Sequence, residues 1–270
     1  MKVGFIGLGE QGEPLAINVV RAGFDLMAYD LRREPVERLA SEGARVSLSA
    51  RELGAYADLV EIVVVNDEQV EAVVLGEDGV LQAVRSGTVI AIHSTIRPAT
   101  VKRIGEIASR KGVELLDAPV SGGRQGAERR AMCYMVGGAS DALTRCRGVF
   151  ATSASTIVHM GVLGSGMAAK LAHQVILCLN LLAAHEGAEL ARCLGLDQNA
   201  LGEAVHAGAA QSRIADRWLG SRPVVQAGAL FDKDLALALE LADEQGLELK
   251  GAAFVRERLR EILKTPAERR

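Results

Sequence analysis

Gly7-Leu8-Gly9-Glu10-Gln11-Gly12 lies between an apolar run, Val3 to Ile6, and a helix-like segment, Pro14 to Val20. In that setting the three glycines have separable tasks. Gly7 permits a tight turn, Gly9 lets the backbone approach a pyrophosphate, and Gly12 allows close helix–strand packing. The helix N-terminus that follows offers unpaired N–H groups and the positive end of a dipole, which favour anions without a basic side chain. Asp30 closes the next apolar run, Leu26 to Tyr29. It stands at about the 20-residue spacing where a carboxylate accepts hydrogen bonds from an adenosine ribose. The competing reading is an ordinary glycine turn followed by a surface aspartate. The strand and helix on either side favour a dinucleotide site formed by Gly7, Leu8, Gly9, Gln11, Gly12 and Asp30.

Two further constellations carry chemistry. Asp117-Ala118-Pro119-Val120-Ser121-Gly122-Gly123 follows a strand candidate. Ser121 offers a hydroxyl, and the two glycines leave backbone N–H groups approachable, which together make a cradle for a carboxylate. The same glycines would also suit a loop that only needs positive φ. Gly164-Ser165-Gly166-Met167-Ala168-Ala169-Lys170 then puts a lysine one turn into a long apolar segment. Lys170, His173 and Gln174 fall at i, i+3 and i+4 and so share one helix face. Polar residues gathered on one side of an otherwise buried helix suggest a functional cleft, against the usual surface lysine.

The elements that must position these groups follow from periodicity. Strand candidates are Lys2–Ile6, Asp25–Tyr29, Leu59–Val65, Thr88–Ile92, Glu114–Leu116, Met132–Val136 and Thr156–His159. Helical patterns separate them, among them Pro35–Glu42, Glu68–Leu75 and Pro98–Lys111. Such alternation predicts an α/β fold, a doubly wound parallel sheet of the Rossmann type covered on both faces. Continuously apolar strands such as Ile62–Val65 fit burial on both faces. Ligands on these sheets bind past the carboxyl ends of the strands, where Gly7–Gly12, Asp30, Val65–Asn66, Ser94–Thr95 and Asp117–Gly123 all fall. After His159 the texture becomes Ala/Leu-rich and helical. The expected division is a dinucleotide-binding domain over 1–162 and a smaller all-α domain over 163–270. The second opens with a helix from Gly166 to Leu194, roughly 40 Å long, apolar around most of its circumference and therefore expected to be buried all round, within its domain or against another subunit.

Composition narrows the classes. The chain has 270 residues and a net charge of −3, with Lys and Arg scattered. That leaves no electrostatic footprint for nucleic acid. The four cysteines, Cys133, Cys146, Cys178 and Cys193, lack metal-ligand spacing, so no metal is expected, and they read as reduced residues of a cytoplasmic protein. The first strand candidate begins at Lys2, so no signal peptide is expected. The most apolar stretch, Val175 to Ala184, is too short to span a bilayer, so no membrane partner is expected. Thr265 to Arg270 reads as a frayed tail.

With these residues in view, the chain resembles the β-hydroxyacid dehydrogenases, the group containing 3-hydroxyisobutyrate dehydrogenase and tartronate semialdehyde reductase, with 6-phosphogluconate dehydrogenase more distant. The likeness runs from Gly4 to about Leu241. It rests on Gly4-Phe5-Ile6-Gly7-Leu8-Gly9 through Pro14, Ala16 and Asn18, on Ser94-Thr95-Ile96 with Pro98, on Asp117 to Ala127, on Gly164 to Lys170, and on Lys233-Asp234-Leu235 with Leu237-Ala238-Leu239. The resemblance implies hydride transfer between a nicotinamide and a small β-hydroxyacid, or the matching semialdehyde or keto acid. It also implies that Lys170 is the general acid/base, that Ser121, Gly122 and Gly123 hold a substrate carboxylate, and that Gln174 orients the substrate. Thr95 matches a contact to the nicotinamide ribose, Val65 lies on a loop approaching the cofactor, and Lys233 reaches the cofactor and substrate region from the second domain. A homodimer or homotetramer is expected.

Asp30 favours NAD by bonding a ribose 2′-hydroxyl and repelling a 2′-phosphate. Arg32 and Arg33 follow closely and supply the argument for NADP as the alternative. Several positions depart from the family pattern. Gln11 replaces a common methionine, Gln174 a common asparagine, and His93 a common aspartate. The segment between Trp218 and Phe231 is compressed, and the chain stops soon after Leu263. Trp218 and Phe231 are candidates for a substrate pocket or for the core. The shortened second domain also motivates a second functional reading, a catalytically weak dinucleotide-binding sensor or scaffold. Reduction of an imine or another non-acid carbonyl is a third, disfavoured by Ser121–Gly123 and Lys170.

Overall fold

β1 (Lys2–Ile6) is a run of buried residues after an exposed Lys2, and it anchors a nine-stranded sheet in a computed structural model that describes residues 1–220 and 228–263. The chain divides into two compact units, Met1–Lys170 and Leu171–Arg270.

In the first unit α1 (Gly12–Arg21) follows β1, then β2 (Asp25–Tyr29), α2 (Arg33–Ser41), β3 (Arg45–Val46), α3 (Ala50–Tyr56), β4 (Leu59–Ile62) and α4 (Asp67–Leu75). A 3₁₀ turn over Val80–Gln82 leads to β5 (Val89–Ile92), α5 (Pro98–Ser109) and β6 (Glu114–Asp117). The sheet order begins β3-β2-β1-β4-β5-β6, all parallel, which is the dinucleotide-binding order with its switch point between β1 and β4. Each strand feeds both faces. Val3, Phe5, Leu59 and Ala91 pack under α1 with Leu15 and Val19, while Ile6, Val60, Ile62 and Ile90 pack with Leu53, Val70 and Ile104 on the opposite side.

The far edge departs from the parallel sheet expected. β7 (Val120–Ser121) and the end of β6 run antiparallel to β8 (Met132–Gly137), pairing Asp117 with Gly137, Val120 with Tyr134 and Ser121 with Cys133. Between Ser121 and Met132 the chain makes only the short α6 (Gly123–Glu128), less than the dozen or more residues a parallel crossover needs. The sheet is therefore mixed. α7 (Ser140–Phe150) then permits a parallel return as β9 (Ala154–Gly161) beside β8.

α8 (Ser165–Cys193) leads into α9 (Gln198–Ala207), α10 (Arg213–Gly220), α11 (Gly228–Glu244) and α12 (Lys250–Ile262). The second unit is helical throughout its described residues. Its core gathers Cys178, Leu181, Ile214, Trp218, Leu235, Val255 and Leu259, with Phe231 packed against it. Burial along α8 follows one stripe, Met167, Lys170, Leu171, Gln174, Cys178, Leu181, Ala188 and Ala191. The expectation of burial all round is thus corrected: Ile176 and Leu190 on the other face are exposed. Although α8 is long and apolar enough to cross a bilayer, its stripe carries a lysine and a glutamine and supplies core residues to a helical cluster. The expected tail at Thr265–Arg270 and the compressed stretch over 221–227 lie outside the described residues.

Candidate active site

The glycine turn has the shape its spacing implies. Gly7 has φ +91°, and a β-carbon there would stand 2.1 Å from the Val63 carbonyl oxygen. At Gly12 it would stand 1.9 Å from the Gly7 oxygen, so close packing of α1 on the strand end requires glycine. A β-carbon on Gly9 would meet nothing within 4 Å. That open space beside the start of α1 fits a dinucleotide pyrophosphate, held by N–H groups rather than by cations. Gln11 occupies the residue before α1 without a side-chain capping bond. At the end of β2, Asp30 Oδ2 accepts the Leu8 N–H at 2.6 Å, which ties the acid to the turn. Arg32 lies on the same carboxylate through its backbone N–H and guanidinium, and its Nη2 also donates to the Leu8 carbonyl. Burial would raise the Asp30 carboxyl, but Arg32 and the two backbone donors outweigh it and hold the group below the usual carboxylate value.

The strand ends next to the switch point are tied together. The Val64 N–H donates to Ser94 Oγ at 2.8 Å, joining the loop after β4 to the one carrying Thr95. Val65 is exposed and its N–H is held by Gln69 Oε1. Past β6, Ser121 is paired in β7, and Gly122 and Gly123 have φ +145° and +63°. The turn needs positive φ at both glycines, and Ser121 stands immediately before it.

Asp117, at the end of β6, is central to the site. Its carboxylate is fully buried and accepts the Gly164 and Met167 N–H groups at 2.8 and 2.7 Å, closing the N-terminus of α8. A negative group there complements both the orphan donors and the helix dipole. Burial pushes its carboxyl up to about 6, against the lowering by these backbone donors. Gly166 lets the helix touch the sheet, since a β-carbon would stand 2.5 Å from the carbonyl oxygens of Asp117 and Met135. Lys170, buried one turn later, is thereby fixed to the ends of β6 and β8 through backbone.

In the second unit, Gln174 Nε2 donates to Asp234 Oδ2 at 2.6 Å, and Lys233 Nζ donates to Asp234 Oδ1 at 2.8 Å. Asp234 thus brings two predicted residues together. Its only sequence signal was its place beside Lys233. His173 is half-buried and contacts Gln174 Oε1 through Nδ1 at 3.3 Å. Trp218 is core, in edge contact with His185, which answers its two readings in favour of packing.

Comparison with known proteins is consistent along the whole chain. Residues 2–161 match the family model described as the NAD binding domain of 6-phosphogluconate dehydrogenase. Residues 164–268 match the one described as NAD-binding of NADP-dependent 3-hydroxyisobutyrate dehydrogenase. The 2-hydroxy-3-oxopropionate reductase of Escherichia coli is 36% identical over 264 residues, 95% of this chain and 89% of that protein. The 3-hydroxyisobutyrate dehydrogenase of Pseudomonas aeruginosa is 32% identical over 249 residues, 88% of this chain and 84% of that protein. The solved 3-hydroxyisobutyrate dehydrogenase of Mycobacterium tuberculosis with L-serine has a TM-score of 0.85 at 28% identity, covering 99% of this chain and 95% of that one.

Proposed function

The chain belongs to the β-hydroxyacid dehydrogenase family, and on that premise we propose that Lys170 is the general acid/base of an NAD(P)-dependent oxidoreductase acting on a small β-hydroxyacid or the corresponding semialdehyde or keto acid. The observation that carries this is the buried Lys170 one turn into a helix whose start is bonded to Asp117 at the end of β6. Gly7, Leu8, Gly9, Gln11, Gly12 and Asp30 would hold the dinucleotide, with Val65, Thr95 and Lys233 toward its nicotinamide end. The nicotinamide supplies the hydride chemistry when bound. Ser121, Gly122 and Gly123 hold the substrate carboxylate, and Gln174 orients the substrate. In oxidation Lys170 takes the hydroxyl proton, and in reduction it gives a proton to the carbonyl oxygen. Its ammonium is suited to an oxygen that gains negative charge.

This reading includes a dinucleotide-binding domain over 1–162 and a helical domain over 163–270, a division supported by the limits of the two matching family models, 2–161 and 164–268. It further takes the protein as a cytoplasmic homodimer or homotetramer with no nucleic-acid or membrane partner. The exposed apolar residues of the helical unit support self-association. The decisive experiment follows reduced-nicotinamide absorbance with NADH or NADPH and a panel of small semialdehydes and keto acids, beside Lys170→Ala. Turnover should fall by about 10² to 10⁴ in the variant while cofactor binding persists. Binding without turnover across the panel in the unaltered protein would turn the reading toward a sensor or scaffold.

A further inference from the structure

The core of the first unit contains an ionisable pair that the proposed chemistry does not use. Glu61 lies in the middle of β4, pairing in register with Phe5 and Ala91, and is 2% exposed. His93 follows β5 directly and is equally buried. Its Nδ1 is 2.7 Å from the Ala118 carbonyl oxygen, and its Nε2 is 3.2 Å from Glu61 Oε1. A carbonyl only accepts, so Nδ1 carries a proton and donates it to Ala118. One further proton then lies between Nε2 and Oε1, on either side of the bond. Tyr134 and Phe150 close over the imidazole edge-on, with ring centroids 5.4 and 5.6 Å away. Glu61 Oε2 has no hydrogen-bond partner among the described residues.

A buried carboxyl group with an orphaned oxygen carries an uncompensated desolvation cost and needs a compensating reason. The positions the pair connects supply one. His93 is bonded forward to Ala118, which stands between Asp117, the cap of α8, and the turn at Ser121. Along the chain it precedes Ser94, whose hydroxyl holds the loop after β4, and Thr95. Glu61 fixes the ring from β4. β4 and the segments just past β5 and β6 are thus joined through one imidazole.

We propose that Glu61 and His93 are positioning residues that set the Ser94–Thr95 and Ala118 backbone for the nicotinamide end of the dinucleotide, an inference that rests on the assignment of Thr95 made above.

The test separates the two ends of the cofactor by measuring affinity for NADH and for ADP-ribose, which lacks nicotinamide. Glu61→Leu removes the anchor and should weaken NADH about tenfold while ADP-ribose is unchanged. Glu61→Gln can donate to Nε2 of a neutral imidazole and should restore NADH binding to within about twofold. Should Glu61→Leu fail to fold, His93→Asn serves instead, because its amide keeps reach to Ala118 and loses Glu61, and the same selective loss is expected. Unchanged NADH affinity in the disrupting variant, or equal loss of both ligands, overturns the proposal. An unaltered protein that binds NADH but turns over no hydroxyacid overturns the functional reading alone, since the affinity comparison still stands. One that binds neither ligand overturns both.

Discussion

Asp30 and Arg32 hold one another at the mouth of the glycine turn, with the guanidinium 3.1 Å from one carboxylate oxygen and 3.2 Å from the other. With the Leu8 and Arg32 N–H groups added, the carboxylate accepts four hydrogen bonds, and a ribose 2′-hydroxyl would share it with the Arg32 guanidinium. Arg32 is therefore committed to Asp30, whereas Arg33 is almost fully exposed beside Glu37. A 2′-phosphate would have to draw Arg32 away and stand next to a carboxylate held below its ordinary value. NADH should bind more tightly than NADPH, and Asp30→Ala should narrow the ratio by about tenfold. Fluorescence titration with both cofactors measures this, and a protein that prefers NADPH before any substitution contradicts it.

Gly9 and Gly12 belong to one motif and should respond oppositely to alanine. At Gly12 the added carbon would strike the Gly7 oxygen, so Gly12→Ala should cost about 1 to 3 kcal/mol in urea unfolding. Gly9 has open space around it, so Gly9→Ala should leave stability within about 0.5 kcal/mol. Its dinucleotide affinity should nonetheless fall by at least about tenfold, because the methyl group fills the space the pyrophosphate needs. Intact affinity in Gly9→Ala would remove that space from the binding site.

Much of this arrangement was legible because it is local. The turn at Gly7, the spacing to Asp30, the continuous apolar strands and the run of α8 all follow from periods of 2 and 3.6 residues and from glycine stereochemistry. What the chain concealed depends on pairings distant in sequence. Asp117 meets Gly164 and Met167 about fifty residues away, and Glu61 meets His93 across two strands. β3 and β7 have two residues each, too few to show alternation. The antiparallel pairing at β8 was hidden because a short apolar run looks alike in either direction.

Asp117 makes a pH prediction with a definite sign. Its carboxyl titrates near 6 in the folded chain against 3.8 as the ordinary value, so the folded state binds the proton more tightly. The associated stabilisation, about 3 kcal/mol, is present at pH below 3.8 and is lost as pH rises through 6. Asp117→Asn cannot titrate. The difference in unfolding free energy between the unaltered protein and this variant should therefore shrink as pH goes from 4 to 7, and a difference constant across that range would refute the burial argument. Catalysis should suffer at every pH, because an amide oxygen can accept only from its own side and one of the two N–H groups at the start of α8 loses its partner.

The face of α8 opposite its buried stripe makes the last prediction. Ile176, Ala183, Gly187 and Leu190 recur at spacings of 7, 4 and 3 residues, all exposed, and a β-carbon on Gly187 would meet nothing within 4 Å. Large apolar groups at both ends with small residues between them form a surface on which another helix can lie closely, since interhelical distance shortens where side chains are small. Leaving Ile176 and Leu190 in water forgoes about 1.5 to 3 kcal/mol per side chain relative to full burial. A second copy related by a two-fold axis would bury the same stripe twice, as an isologous interface requires. Light scattering coupled to size exclusion should give a dimer or tetramer for the unaltered protein and a smaller species for Ile176→Glu with Leu190→Glu, whose circular dichroism should stay the same. A unaltered chain that runs as a monomer at micromolar concentration would mean that this face stays in water.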